Sequence, residues 1–410
     1  IRKNDFSYNK SATKEYPEGF IAHYSGDEPA AVPNSIFTCF RINGDSPDPR
    51  YLNYLFLGNL HGRWLRKFIE VGARAHGSLS VKDDDLLALP IPLPVGKSSL
   101  AEQQKIAECL STLDELIEAE SRKLNALKDH KKGLMQRLFP REGETRPRLR
   151  FSEFRNAPAW TSKELRSIAE PVSERAKEDD ANHILTLSAE HGLVLQSEYF
   201  GKQVAGTNAE RYFKIRRNDF VYNDRTTKAS EYGTIKRLTK HPHGVVSPIY
   251  KCFRFRNEES PGFWEYYFES GAHEWELHKL ANEGARAGRF NVTIERFLST
   301  RVFSPETTSG EQQKIAECLS TLDELIEAES RKLDTLKAHK KGLMQQLFPR
   351  EGETRPRLRF PEFQNAPDWE EKSIGDVGEV VTGSTPSTAK REYYGGDIPF
   401  VSPADISELR

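Results

Sequence analysis

A run of 59 residues that occurs twice constrains this chain more than anything else in it. The first copy spans Glu102–Trp160 and the second Glu311–Trp369, at a constant offset of 209. Only seven positions differ: Asn125/Asp334, Ala126/Thr335, Asp129/Ala338, Arg137/Gln346, Ser152/Pro361, Arg155/Gln364 and Ala159/Asp368. Internal repetition this close means that one structural unit is used twice, and the rest of the chain divides into inserts around the copies.

The first part of each copy is built for a long helix. No proline occurs from Glu102 to Leu138, and apolar residues fall at Ile106, Leu110, Leu113, Ile117, Leu124, Leu127, Leu134 and Leu138. That is the alternating four-three step of a coiled-coil seam. Pro140 and Pro349 stop the helices, because proline lacks the amide hydrogen and clashes with the preceding turn. A single such helix cannot bury its stripe, and its own copy is the natural partner. The seam has polar breaks at Glu120 and Lys131, and again at Glu329 and Lys340. An antiparallel register that sets Glu120 against Lys340 and Lys131 against Glu329 would compensate the breaks and fix the orientation. Two alternatives stay open: each stripe packs on its neighbouring insert, or a partner's helices complete a larger bundle.

The inserts repeat one another more loosely. Ile1–Asn9 (IRKNDFSYN) matches Ile215–Asn223 (IRRNDFVYN), and Thr38–Ile42 matches Lys251–Phe255. Both pairs have strand character. An amphipathic helix is expected from Pro49 to Gly72, matched by the segment beginning at Phe263. Residues 161–214 have no counterpart before Ile1. The expected division is 1–98 as the closing half of a mixed domain, 99–140 and 306–349 as helical spacers, 141–305 as a second domain, and 350–410 as an opening half that completes 1–98. The combined length of the two halves, from Leu358 to Arg410 with Ile1 to Pro94, is 147 residues, against 157 for Leu149 to Pro305. This order of segments is that of a circular permutation or of a piece of a longer array.

Net charge is −1 with 60 Lys and Arg, so contact with a nucleic acid must come from local patches. Cys39, Cys109, Cys252 and Cys318 form two repeat-related pairs without a CxxC spacing, and read as reduced thiols of a cytoplasmic protein. No apolar run approaches the roughly eighteen residues of a membrane span. Catalytic motifs fail on spacing. Gly96-Lys97-Ser98 lacks the earlier glycine of a phosphate loop, with Ile91 in its place. Pro367–Lys372 (PDWEEK) sets its acids too close for a nuclease, and Asp83, Asp84 and Asp85 read as a solvated turn. The residues describe a binding protein with no catalytic or metal site of its own.

Polar, basic loops recur in both inserts at equivalent places. Lys10, Ser11, Thr13 and Lys14 are matched by Arg225, Thr226, Thr227 and Lys228. Arg74, His76 and Ser78 are matched by Arg286, Arg289 and Asn291. Arginine can read guanine and asparagine adenine in the major groove, while lysine and threonine suit phosphates. A solvated loop is the alternative for any one of these residues. Two related readers on a helical spacer favour DNA.

The chain resembles the specificity (S) subunit of type I restriction-modification systems. The resemblance lies in EQQKIAECLSTLDELI of both copies, the LMQ(R/Q)LFP helix ends, TGSTPS…GGDIPFVSPADI and the NDF(S/V)YN segments. It implies an α+β fold: two mixed α/β target recognition domains separated by two long helices that form an antiparallel coiled coil. It also implies a non-catalytic subunit that binds double-stranded DNA at a bipartite, asymmetric site. The implied partners are two methyltransferase (M) subunits carrying S-adenosylmethionine, and restriction/motor (R) subunits using ATP and Mg. The helical regions would supply docking for the M subunits. The rival reading is a coiled-coil interaction scaffold with no role on DNA.

Overall fold

The computed structural model describes residues 1–14, 16–33, 36–69, 79–177, 180, 183–201, 209–227, 230–281, 291–381 and 396–398. The chain forms two units, Ile1–Ser121 with Arg331–Arg410, and Arg122–Ser330.

In the first unit, β1 (Phe6–Asn9), β2 (Phe20–His23), β3 (Phe37–Ile42) and β16 (Gly378–Val380) make an antiparallel sheet in the order β16-β3-β1-β2. A second ladder pairs β4 (Pro90–Leu93) with β15 (Glu370–Ser373). Residues 370–380 are therefore hydrogen-bonded into the sheets that residues 6–93 begin. Helices α1 (Pro49–Leu57), α2 (Leu60–Leu65), α3 (Asp83–Leu87) and α11 (Ile374–Val377) accompany them.

The second unit repeats this plan. Strands β6 (Ala169–Pro171), β10 (Phe220–Asn223), β11 (Thr234–Arg237) and β13 (Lys251–Phe255) are ordered β11-β10-β13-β6, and β5 (Thr161–Glu164) pairs with β14 (Arg301–Ser304). The helices are α5 (Leu165–Ile168), α6 (Gln196–Phe200), α7 (Pro261–Glu269), α8 (Glu274–Ala281) and α9 (Ile294–Leu298). Two further ladders pair β7 (Leu185–Ser188) with β8 (Gly192–Leu195), and β9 (Phe213–Arg216) with β12 (His243–Val246). The β7–β8 hairpin lies in the stretch without a counterpart.

The matched NDF segments explain the shared plan. Asn4 and Asn218 adopt left-handed backbone, with φ of 71° and 73°, a conformation asparagine tolerates better than most residues. The following aspartate is buried and accepts a backbone N–H, from Arg2 at 2.6 Å in one unit and from Arg216 at 2.7 Å in the other. It also takes a two-pronged bond from Arg41 or Arg254, at 2.6 and 2.8 Å in each case. The expected strand from Ile1 is therefore a tight turn followed by β1 at Phe6. The single helix expected after Pro49 is also divided. Asp48 caps α1 through the N–H groups of Arg50 and Tyr51, but Gly58 and left-handed Asn59 (φ 61°) end the run before α2 begins.

Each core mixes domain and spacer residues. In the first unit Phe6, Tyr8, Phe40, Tyr51 and Phe56 pack with Ile106, Leu110, Leu347 and Trp369. In the second, Phe220, Phe253, Trp264 and Tyr267 pack with Leu138, Ile315, Leu319 and Trp160. Burying one such side chain stabilises by about 1.5–3 kcal/mol. The ends of each stripe thus pack on the adjacent domain, one of the two alternatives weighed above.

The spacers are α4 (Ser99–Leu138), of 40 residues, and α10 (Glu311–Leu347), of 37. Within the first unit Lys332 donates to Glu120 and Lys340 to Asp114, both at 2.5 Å. Within the second, Lys123 donates to Glu329 at 2.5 Å and Lys131 to Asp323 at 2.9 Å. In each unit, stepping forward along one helix means stepping back along the other, so the helices run antiparallel. The α+β class, with two mixed units and two long packed helices, is the one expected.

The register is not. The pairs Glu120–Lys340 and Lys131–Glu329 do not form; Glu120 takes Lys332, Lys340 takes Asp114, Lys131 takes Asp323 and Glu269, and Glu329 takes Lys123. Glu120 meets α10 eight residues earlier than expected. Tyrosines from outside the spacers decide it. The Tyr54 hydroxyl donates to Asp114 at 2.8 Å and the Tyr266 hydroxyl to Asp323 at 2.7 Å. Lys340 and Lys131 then sit over those same rings, at 5.1 and 5.0 Å from the centroids.

The repeat also crosses over. Glu102, at the start of the first copy, is bound by Arg359 of the second at 2.7 and 2.8 Å. Glu311 is bound by Arg150 of the first copy at 2.7 and 2.5 Å. Trp369 and Trp160 donate their indole N–H to the same carboxylates. Each unit thus takes the start of one copy and the end of the other, because a 40-residue helix of about 60 Å keeps its own ends apart.

Candidate nucleic-acid interface

The two segments expected to contact DNA begin where β1 and β10 end. Asn9 and Asn223 close the same turn there, their Oδ1 atoms accepting the N–H of Ser11 at 2.9 Å and of Arg225 at 3.2 Å. Thr13 and Thr227 make matching reversals, bonding to the carbonyls of Tyr16 at 3.0 Å and Ser230 at 2.9 Å. Tyr8 and Tyr222 then donate to the carbonyls of Glu18 at 2.8 Å and Tyr232 at 2.6 Å. Gly19 and Gly233 follow with φ of 82° and 87°. A Cβ on Gly19 would lie 2.5 Å from the Asn9 carbonyl oxygen, so glycine is required there.

Ser11 is half-buried, Lys14 is exposed, and Arg225 and Thr227 are exposed with Thr226 half-buried between them. Lys10 is not a free cation. It is half-buried with Nζ 3.7 Å from Asp83, which also accepts from Thr38 at 2.9 Å. The second unit inverts this arrangement: Asp224 stands at the position of Lys10 and is paired with Lys251 at 2.5 Å. The Asp83–Asp85 run is the first turn of α3, where carboxylates face the positive end of the helix dipole, rather than a solvated turn. Asn291 is exposed with left-handed backbone, φ 55°. Arg74, His76, Ser78, Lys228, Arg286 and Arg289 lie outside the described residues. The chain directly after Ser78 is placed: the Leu79 N–H donates to the Lys10 carbonyl at 2.7 Å. In the first unit this sets Leu79 against the loop that follows β1.

Residues the sequence reading passed over hold the loops that follow β1 and β10. Arg66 donates through Nε to Glu18 at 2.7 Å, and His61 Nε2 lies 3.2 Å from the Gly19 carbonyl oxygen. In the second unit the Tyr232 hydroxyl lies 2.8 Å from His278 Nδ1. Burial pushes His61 down to about 4 and His273, its counterpart, down to about 3, so both are neutral at pH 7. Aligning the inserts residue by residue would have exposed Tyr8/Tyr222 and Gly19/Gly233 as invariant between them.

Residues 3–129 match the family described as type I restriction modification DNA specificity domain. The chain is 25% identical over 349 residues to a putative type I restriction enzyme MjaX specificity subunit from Methanocaldococcus jannaschii, covering 80% of this chain and 74% of that one. Over these stretches the chain is similar to type I specificity subunits. A local stretch of 40 residues is 58% identical to the type I restriction enzyme MjaIX specificity subunit of the same organism, covering 10% of this chain and 9% of that one. A chain from a structural study of complex assembly and conformational transition of the type I R-M system shares the fold, with a TM-score of 0.51 at 13% identity over 85% of this chain and 82% of that one. A specificity subunit is the recognition component of such a system and not its catalyst. Among the described residues no helix is long and apolar enough to cross a membrane.

Proposed function

We propose that each unit is a target recognition domain that reads one half of a bipartite, asymmetric DNA site, and that the helices set the gap between the halves. The observation that carries this reading is the duplication itself: two units with the same strand order and the same loop geometry after β1 and β10, but with different side chains on the loops. Lys14, Arg225, Thr226, Thr227 and Asn291 are the described candidates for contact. Arg74, His76, Ser78, Lys228, Arg286 and Arg289 are proposed on sequence alone. Lys10 and Ser11 shape the loop. The spacers would dock two M subunits, which hold S-adenosylmethionine, and R subunits using ATP and Mg would complete the assembly.

The test is to co-express the chain with M and R subunits from its own genome and map methylated adenines. A bipartite methylated motif dependent on this chain is expected, and Asn291→Ala should relax one half alone. Equal loss at both halves would count against independent readers. Binding to a cognate duplex should fall steeply with salt, since phosphate contacts release counterions.

A further inference from the structure

The two units differ at one cleft, and the difference identifies what fits it. In the first unit α2, β4 and the chain that leaves α10 border an open cleft of about 460 Å3. Leu89, Pro92 and Pro349 line it together with the half-buried ring of Trp64, whose indole N–H is held by the Asp85 carbonyl at 3.1 Å. Lys67 lies over that ring, 4.8 Å from its centroid.

The second unit fills the same place with its own side chains. Pro92 pairs with Glu371 as Phe303 pairs with Ser162, at the same position of matching ladders. Arg63 and Trp275 each stand two residues after the buried histidine of their unit. Where the first unit has Pro92 and Arg63, the second therefore has Phe303 and Trp275, and these two rings pack 5.5 Å apart at 34°. Lys279 lies over Trp275 at 4.5 Å, as Lys67 does over Trp64. The first unit keeps a tryptophan and its lysine but has no ring at the position of Phe303. The duplicated fold thus shows the chemistry of the occupant, one aromatic ring packed on the tryptophan.

The rim says where such a ring comes from. Glu351, Glu353 and Glu371 stand on it and repel phosphate, which disfavours a nucleic acid. Pro90 and Pro92 carry no amide hydrogen, so β4 offers no donor there for an added strand. A side chain of a polypeptide fits both conditions, and Arg63 and Lys67 beside the carboxylates suit a segment carrying both charges.

We propose that this cleft receives one aromatic side chain from another subunit of the assembled complex. The second unit cannot take it, because Phe303 is already there, so a partner held this way binds once per chain although the fold is present twice. The proposal rests on the assembly described under the proposed function only for the source of the ring.

Two measurements test it. Fluorine NMR of N-acetyl-4-fluorophenylalaninamide with the full chain should show line broadening, and R63W/P92F, which copies the second unit's pair into the first, should weaken that binding about tenfold with the melting midpoint kept. If R63W/P92F does not fold, Arg63→Trp alone, at an exposed position, takes its place. No broadening, broadening that the variant leaves unchanged, or equal displacement by N-acetyl-leucinamide overturns the ring site. In the complex co-purified with M and R subunits from its own genome, a photo-reactive benzoylphenylalanine replacing Glu351 should cross-link to a subunit peptide that contains an aromatic residue. The same group replacing Glu142, the counterpart in the second unit, should not. A complex that assembles without the Glu351 cross-link, or with equal cross-linking from both positions, overturns the docking. A wild-type complex that does not assemble overturns the assembly reading and the source of the ring, and leaves the NMR result to decide the cleft.

Discussion

Two buried histidines give the chain a pH dependence that its composition does not announce. His61 and His273 are held neutral by burial, and each has a ring Nδ1 without a partner among the described residues. The ordinary value of 6.5 applies in the unfolded chain, so below it the unfolded state takes up protons that the folded state refuses. Stability is therefore full above pH 6.5 and is lost as pH falls toward about 4 for His61 and about 3 for His273. Each histidine costs about 1 kcal/mol per pH unit in that window. Urea midpoints measured at pH 7 and pH 5 should show the drop. His273→Phe, which keeps a ring against Phe268, should remove about half of it; an unchanged pH slope would refute the assignment. The same scale shows why single loop residues were hard to assign. Lys10 and Arg225 look alike in sequence, yet one is drawn onto Asp83 and the other stays exposed.

At the scale of elements, the spacers depend on what packs against them. Lys131 is 11% exposed and shared between Asp323, Glu269 and the Tyr266 ring, while Lys123 is 52% exposed. Lys131→Met should cost about 1–3 kcal/mol by chemical denaturation, as for a hydrogen bond to a charged group. Lys123→Ala should cost about 0–1 kcal/mol, as exposed ion pairs do. Similar losses for both would mean that the tyrosines do not select the register. The clamp at the helix start offers a sharper contrast. Glu102 and Arg359 are 1% and 5% exposed, and losing Arg359 alone leaves a buried carboxylate, costing about 3–5 kcal/mol. Replacing both, as in E102L/R359M, should recover most of that loss in the same denaturation assay. If the double variant is no more stable than Arg359→Met, the cost lies in packing and not in the unpaired charge.

At the scale of the whole molecule, the periodicity of Glu102–Leu138 and its copy was enough to determine two long helices and their proline stops, because a 3.5-residue apolar repeat and a missing amide are local properties. The matched NDF segments likewise marked two domains of one plan. What the sequence could not decide was which residues the helices would meet. Seam charges alone favoured Glu120 with Lys340. Tyr54 and Tyr266, more than fifty residues away in the chain from the aspartates they bind, moved Lys340 to Asp114 and Lys131 to Asp323. The same holds for the crossed clamps and for the contacts of Glu18 with Arg66 and of Tyr232 with His278. A periodic pattern says that a face must be covered, but two copies of nearly identical sequence present several registers of similar local merit. Only the packing of distant aromatic and charged side chains, which exists once the domains have folded onto the helices, distinguishes among them.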